Sequence, residues 1–158
     1  MRVGTGYDSH RLVVDRKLIL GGAEIPFDRG LMGHSDADVL THAIIDALIG
    51  ALGLGDIGRH FPDTDDRWKD ASSVGMLAHV LTLMQEKGFD LVWLDTTLVI
   101  EKPKIAPHIP AMKSALSKAG INSDLINIKA KTNEGMGFVG KGEGVEAHAV
   151  CLLRLINK

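Results

Sequence analysis

Over residues 36–52 the apolar side chains Val39, Leu40, Ala43, Ile44, Ala47, Leu48 and Ala51 recur at helical spacing, and Gly53 and Gly55 end the run. This segment restricts the architecture most. Its strongly apolar part is interrupted by Asp46 and falls short of the ~20 residues a membrane-spanning helix needs, so its partners must come from a protein core. The chain can supply one: 158 residues with 45% apolar composition suit a single domain, expected over residues 1–158. Ser35 and Asp38 stand as a capping box at the start of the helix.

The remaining segments alternate. Residues 2–10 and 17–20 read as extended, with Gly21, Gly22 and Pro26 punctuating the second. A second helix is expected over 73–87, with Leu77, Val80, Leu81 and Met84 inward and Gly88 as its stop. Residues 91–100 read as a long strand, polar on one side. A third helix over 109–119, closed by Gly120, leads to a strand at 125–132, a glycine-rich loop and a final strand at 145–156. The pattern predicts an α/β fold, an α+β sandwich with a mixed sheet of about four main strands and helices packed on one face.

Charge and cysteine usage exclude several classes. Eighteen Lys and Arg against twenty Asp and Glu give a net charge of −2, so neither nucleic acid nor an anionic membrane is an expected partner. The N-terminus runs from Met1-Arg2 into Val3-Gly4-Thr5-Gly6 without an apolar or Arg/Ser-rich leader, and the single Cys151 cannot form an internal disulfide. A cytoplasmic location, or a mature form already processed, is expected. The apolar neighbours of Cys151 favour a buried, inert thiol.

The chemistry gathers around histidines. In a strand, Asp8 and His10 project to one face, where carboxylate and imidazole can converge on a cation, although such a triplet is more often a hydrogen-bonded surface pair. His42 lies one helical turn after Asp38 and one before Asp46. This polar stripe reads either as a solvent-facing edge, as a core histidine satisfied by a carboxylate, or as a third ligand beside Asp8 and His10, with Asp38 or Asp46 orienting the imidazole. Three N/O ligands would leave the open fourth position of a catalytic zinc. His34 and Ser35 precede the helix, where backbone N–H groups favour a phosphate, unless Ser35 merely caps.

Gly135 to Lys141 satisfies G-x-x-x-x-G-K, but Gly142 replaces the required Ser or Thr and a strand follows in place of a helix, so this is no P-loop. The neighbouring Lys129-Ala130-Lys131-Thr132-Asn133-Glu134 offers cations, a hydroxyl and a carboxylate suited to a diphosphate with Mg²⁺ or Mn²⁺ on Glu134. Glu101, Lys102 and Lys104 form a further candidate phosphate or nucleotide edge.

Taken together, Asp8-Ser9-His10, His34-Ser35-Asp36-Ala37-Asp38 with His42, Leu54-Gly55-Asp56-Ile57-Gly58, Phe61-Pro62-Asp63-Thr64-Asp65, Pro103-Lys104 with Pro107-His108-Ile109-Pro110, and Gly137-Phe138 with Gly140-Lys141-Gly142-Glu143-Gly144 resemble the 2-C-methyl-D-erythritol 2,4-cyclodiphosphate synthase family nearly end to end. The resemblance implies a lyase of non-mevalonate isoprenoid synthesis. It would convert 4-diphosphocytidyl-2-C-methyl-D-erythritol 2-phosphate into the cyclic 2,4-diphosphate and CMP, without water. Matching positions make Asp8, His10 and His42 zinc ligands, with a β-phosphate oxygen in the fourth position, and Glu134 the ligand of magnesium or manganese. His34 and Thr132 would steady the phosphates in the transition state, with Ser35 adding a helix-start contact. Asp56, Ile57, Gly58 and the loop of Phe61, Pro62, Asp63, Thr64 and Asp65 would hold the methylerythritol. Ile100, Glu101, Lys102, Pro103, Lys104, Ile105 and Ala106, with Ala130, Lys131 and Thr132, would form the cytidine pocket; Ser9, Asn133, Phe138 and Lys141 complete the implied substrate contacts.

The family is a homotrimer with active sites between subunits, so zinc site and cytidine pocket would come from different chains. Two departures stand out. Lys131 and Asn133 replace threonines of many relatives, which puts a lysine beside the nucleotide. Lys141 replaces an arginine and loses its planar fork, which counts against isoprenoid diphosphate binding in the central trimer cavity. Two rival readings of the same residues are a zinc phosphohydrolase and a non-catalytic isoprenoid-diphosphate binding module.

Overall fold

Strand β1 (Arg2–Val13) turns Gly4 and Gly6 inward, and a Cβ at either position would overlap the backbone of residues 43–51. Helix α1 (Val39–Leu52) therefore lies directly against the strand's backbone, closer than any side chain would permit. The computed structural model describes residues 1–156; the last two residues of the expected 1–158 domain lie outside the described residues.

After β1 come the short strands β2 (Leu18–Leu20), β3 (Ala23–Ile25) and β4 (Gly30–Leu31), then α1, the one-turn α2 (Ile57–His60) and α3 (Ser73–Glu86). Strand β5 (Phe89–Val99), α4 (Ile109–Ser117), β6 (Ile126–Lys131), the one-turn α5 (Gly137–Gly140) and β7 (Gly144–Leu155) complete the chain. The sheet is mixed and has five strands, in the order β4-β1-β7-β5-β6. Among the described residues only β5 and β6 run parallel, joined by the α4 crossover.

Four of the five are the long strands expected; the fifth is the two-residue β4, which pairs Leu12 with Leu31 and Val13 with Gly30. The extended segment at 17–20 stays out of this sheet, because β2 folds back on β3 as a separate hairpin. Helices α1 and α3 cover one face of the main sheet and pack on each other. Covered by sheet below and helix above, α1 is buried along nearly its whole length, which accounts for its almost continuous apolar sequence. The opposite face leaves Val3, Tyr7, Trp93 and Val150 exposed. No helix among the described residues is long and apolar enough to cross a membrane.

Most boundaries fall within two residues of the sequence pattern, but α1 starts three later than the expected 36. Ala37 is left-handed at φ 55°, and the cap is Asp38, not Ser35. The Asp38 carboxylate is fully buried and accepts from Thr41 N (3.0 Å), Thr41 Oγ1 (2.7 Å), Gly21 N (2.9 Å) and Gly22 N (2.6 Å). It caps the helix and pins the β2–β3 turn at once.

The sheet register sets the position of the functional residues. Ser9 pairs with Glu146, Glu146 with Val99, and Val99 with Lys131. The Asp8–His10 segment and the end of β6 therefore sit at the same end of the sheet, three strand spacings or roughly 14 Å apart.

Candidate metal centre and its cleft

Alternation along β1 sends Asp8 and His10 to the face that α1 covers, and α1 brings His42 down between them. Asp8 Oδ2 lies 2.9 Å from His10 Nε2 and 3.0 Å from His42 Nδ1, and the two nitrogens are 3.2 Å apart. Ligand atoms about 2.0–2.1 Å from a tetrahedral zinc are roughly 3.3 Å from one another, so this triangle fits such an ion closely. Among the described residues it is the one cluster of three metal-ligating side chains.

Hydrogen bonds on the far side of each ring orient the converging nitrogens toward Asp8 Oδ2. His10 Nδ1 donates to the Met32 carbonyl at 2.8 Å, which turns Nε2 toward Asp8. Gly33 makes room for that ring: a Cβ there would stand 3.1 Å from His10 Cε1 and 2.9 Å from Ala37 Cβ. His42 Nε2 meets Ser73 Oγ at 2.8 Å and Ser35 Oγ at 3.1 Å. Burial pushes the Asp8 carboxyl up, but hydrogen bonds from both imidazoles and their charge outweigh it and hold it at about 2. The His10 imidazole is raised above its ordinary value: burial opposes this, but the bond to Asp8 and its charge prevail.

Two sequence expectations are corrected here. Neither Asp38 nor Asp46 orients His42: Asp38 is spent on its cap, and Asp46 Oδ1 accepts from Ile57 N at 3.0 Å, tying α1 to α2. Nor does the start of α1 offer a phosphate site, since the buried Asp38 carboxylate fills it; Ser35 instead accepts from Ala37 N and faces His42. Ser73, 31 residues beyond His42, escaped the sequence reading; as the first residue of α3 it carries only the signal of a helix start.

The triad forms the floor of a cleft of roughly 400 Å³ whose wall includes His34, Ser35, Ile57, Gly58, Phe61, Pro62, Asp63, Thr64 and Trp68. His34 Nε2 is buried there without a hydrogen-bond partner among the described residues. Phe61 is buried edge-on against Trp68, with ring centroids 4.7 Å apart, which anchors the loop and leaves Asp63 and Thr64 at the cleft. Three expected contacts turn elsewhere. Asp56 caps α2 through Arg59 N, Asp65 pairs with Arg67 at 2.6 Å, and the Ser9 side chain lies on the opposite face of the sheet.

A second cavity, roughly 220 Å³, is lined by Ile100, Glu101, Pro103, Lys104, Ile105, Ala106, Ala130, Lys131 and Thr132. Apart from Lys102, these are the residues expected around a nucleotide. The Glu101 carboxylate accepts from Asn133 N and Gly135 N, each at 3.1 Å, and so holds the turn that presents Glu134. Glu134 itself is exposed, left-handed at φ 50°, and its N–H donates to Thr132 Oγ1 at 3.3 Å. Phe138 packs beside Gly144, and Lys141 is exposed at the end of α5. None of the described residues lines both cavities.

Residues 1–154 match the YgbB family. The 2-C-methyl-D-erythritol 2,4-cyclodiphosphate synthase of Trichlorobacter lovleyi is 58% identical over 97% of this chain and 98% of its own length. Among solved structures, the bifunctional IspDF of Campylobacter jejuni superposes with a TM-score of 0.94 at 37% identity, covering 99% of this chain and 42% of that one. A 2C-methyl-D-erythritol-2,4-cyclodiphosphate synthase in a CDP-bound form gives a TM-score of 0.88 at 41% identity, covering 97% of this chain and all of that one.

Proposed function

We infer the activity from membership: this chain belongs to the YgbB family, and it acts as a 2-C-methyl-D-erythritol 2,4-cyclodiphosphate synthase of isoprenoid biosynthesis. The 2-phosphate of 4-diphosphocytidyl-2-C-methyl-D-erythritol 2-phosphate attacks the β-phosphorus, the bond to the α-phosphate breaks, and CMP leaves. One observation carries the metal-dependent form of this reading: the 2.9–3.2 Å triangle of Asp8, His10 and His42, each with a metal-ligating atom turned inward. Zinc on that triad would supply Lewis acidity and a template for the phosphates, and magnesium or manganese on Glu134 would supply further neutralising charge.

The chain's own residues align and neutralise. His34, with its ring nitrogen unpartnered at the cleft wall, is placed to donate to a phosphate oxygen, and Thr132 offers a hydroxyl from the second cavity. Asp63 and Thr64 face the cleft as acceptors for sugar-alcohol hydroxyls, while Ile57, Gly58 and Phe61 exclude water beside them. The 100–106 and 130–132 segments hold the cytidine, with Glu101 keeping the 133–135 turn in place from behind. Catalysis of this kind rests on proximity, since nucleophile and electrophile belong to one molecule.

The protein works as a homotrimer in the cytoplasm, with each active site made from the metal cleft of one subunit and the nucleotide cavity of the next. Two features support this arrangement: none of the described residues lines both cavities, and one sheet face, with Val3, Tyr7, Trp93 and Val150, is uncovered in the single chain. Turnover in ¹⁸O-labelled water tests the chemistry. Cyclisation leaves the label out of both products, whereas label in CMP or in an open-chain bisphosphate would assign the triad to a hydrolase.

A further inference from the structure

We propose that Ser73, backed by the Asp36 carboxylate, is the positioning residue that decides which ring nitrogen of His42 is offered to the metal. The inference rests on the reading of Asp8, His10 and His42 as a metal site and extends it to two residues that touch neither ion nor substrate. Ser73 is fully buried at the start of α3 and lines neither cavity. Asp36 lies behind it, on a separate surface recess shared with Arg16 and Asp70.

Asp36 accepts twice from the same residue: its Oδ2 takes the Ser73 backbone N–H at 3.0 Å, and its Oδ1 takes the Ser73 hydroxyl in a short hydrogen bond. The double contact fixes the rotamer of Ser73 and commits its only hydroxyl hydrogen to the carboxylate. What Ser73 Oγ presents to His42 Nε2, 2.8 Å away, is therefore a lone pair. Nε2 must then carry a proton, which leaves Nδ1, 3.0 Å from Asp8 Oδ2 and 3.2 Å from His10 Nε2, as the ring nitrogen open to a metal that displaces the hydrogen shared with Asp8.

The other neighbour of Nε2 has no such commitment. Ser35 Oγ stands 3.1 Å from Nε2 and accepts from Ala37 N at 3.2 Å, with its own hydrogen unassigned to any acceptor among the described residues. Without Ser73, the Ser35 hydroxyl is free to donate to Nε2, which makes Nε2 an acceptor and fixes the ring's remaining proton on Nδ1, the atom the metal needs. Asp36, Ser73 and His42 thus form a carboxylate–hydroxyl–imidazole relay in place of the direct carboxylate–imidazole contact common around metal-bound histidines.

The test compares the parent protein with Ser73→Ala and Asp36→Asn, each stripped of metal. Long-range ¹H–¹⁵N correlation reads the His42 tautomer, and titration against a chromophoric chelator reads zinc affinity. The expected result is a proton on Nε2 in the parent, loss of that proton in Ser73→Ala with Nδ1–H kept against Asp8, and zinc binding weaker by about 10- to 100-fold, with a smaller loss in the same direction for Asp36→Asn. A Ser73→Ala protein that keeps the parent tautomer overturns the proposal; if that variant does not fold, Asp36→Asn decides on the same spectrum. A parent that takes up no zinc defeats the metal reading alone, because the tautomer comparison needs no metal.

Discussion

His42 holds the two halves of the site together, since its Nδ1 faces Asp8 and His10 from α1 while its Nε2 is bonded to hydroxyls from two other segments. His42→Ala removes a ligand at the cleft floor without opening the core, so the protein is expected to stay folded while turnover falls by on the order of a thousandfold, the worth of several kcal/mol of lost charge stabilisation. Circular dichroism and CMP release measure the two effects; loss of fold with full activity in the remaining folded fraction contradicts the assignment. The His10 shift gives a pH dependence. In stripped protein its raised pKa contributes stability that is complete below the ordinary imidazole value of 6.5 and is lost as pH rises through the higher folded value. Metal must displace that proton, so zinc-induced stabilisation should grow across the same window and then level off; thermal unfolding with and without zinc between about pH 6 and 8 checks it. A constant gap would mean that His10 does not titrate against the metal. The Asp8–His10 pair was legible from two-residue alternation and His42 from its place on an apolar helix. Ser73 was not, because its partnership with His42 arises only when α3 packs on α1.

Helix α1 and strand β1 carry the whole triad, and their separation is set by the absence of side chains at Gly4 and Gly6. A Gly6→Ala substitution forces the helix away from the strand, at a cost of about 1–3 kcal/mol or more for overpacking, and it lifts His42 off Asp8 because Ala43 is the residue met. Reduced unfolding temperature together with weakened zinc uptake is expected; a change in stability alone would show that the helix can move without carrying His42. Asp38→Ala leaves Gly21 N, Gly22 N and Thr41 without their buried acceptor and should destabilise by about 3 kcal/mol, read by denaturant unfolding. The long elements were readable because apolar spacing and glycine stops agree at α3, α4 and β5–β7. The start of α1 misled for a physical reason: Ser35 and Asp38 have the spacing of a capping box, but the buried carboxylate recruits donors from a turn 16–17 residues upstream, which local spacing does not report. Strand β4 was invisible for a similar reason, being two residues that gain strand form only by pairing with the end of β1.

At the scale of the molecule, the sheet is covered by helices on one side and bare on the other, and the proposed assembly covers the bare side with a second copy. Val150→Asp places a charge in the centre of that bare face, on the row of Thr5 and Asp95, and is expected to yield folded monomers lacking turnover, as sedimentation and CMP release would show. Unchanged activity in a monomer would contradict a site shared between subunits. Strand order had no signature in composition or periodicity, since it arises from contacts remote in sequence; the same holds for the proposed pairing of two cavities from different chains. The central claim is cyclisation directed by the Asp8–His10–His42 metal centre, and ³¹P NMR of the diphosphocytidyl substrate with the protein tests it most directly, run with Mg²⁺ before zinc stripping, after it, and after zinc is restored. The account predicts CMP and a cyclic diphosphate appearing together, abolished by stripping and recovered with zinc; CMP with an open-chain bisphosphate, or turnover indifferent to zinc, would contradict it.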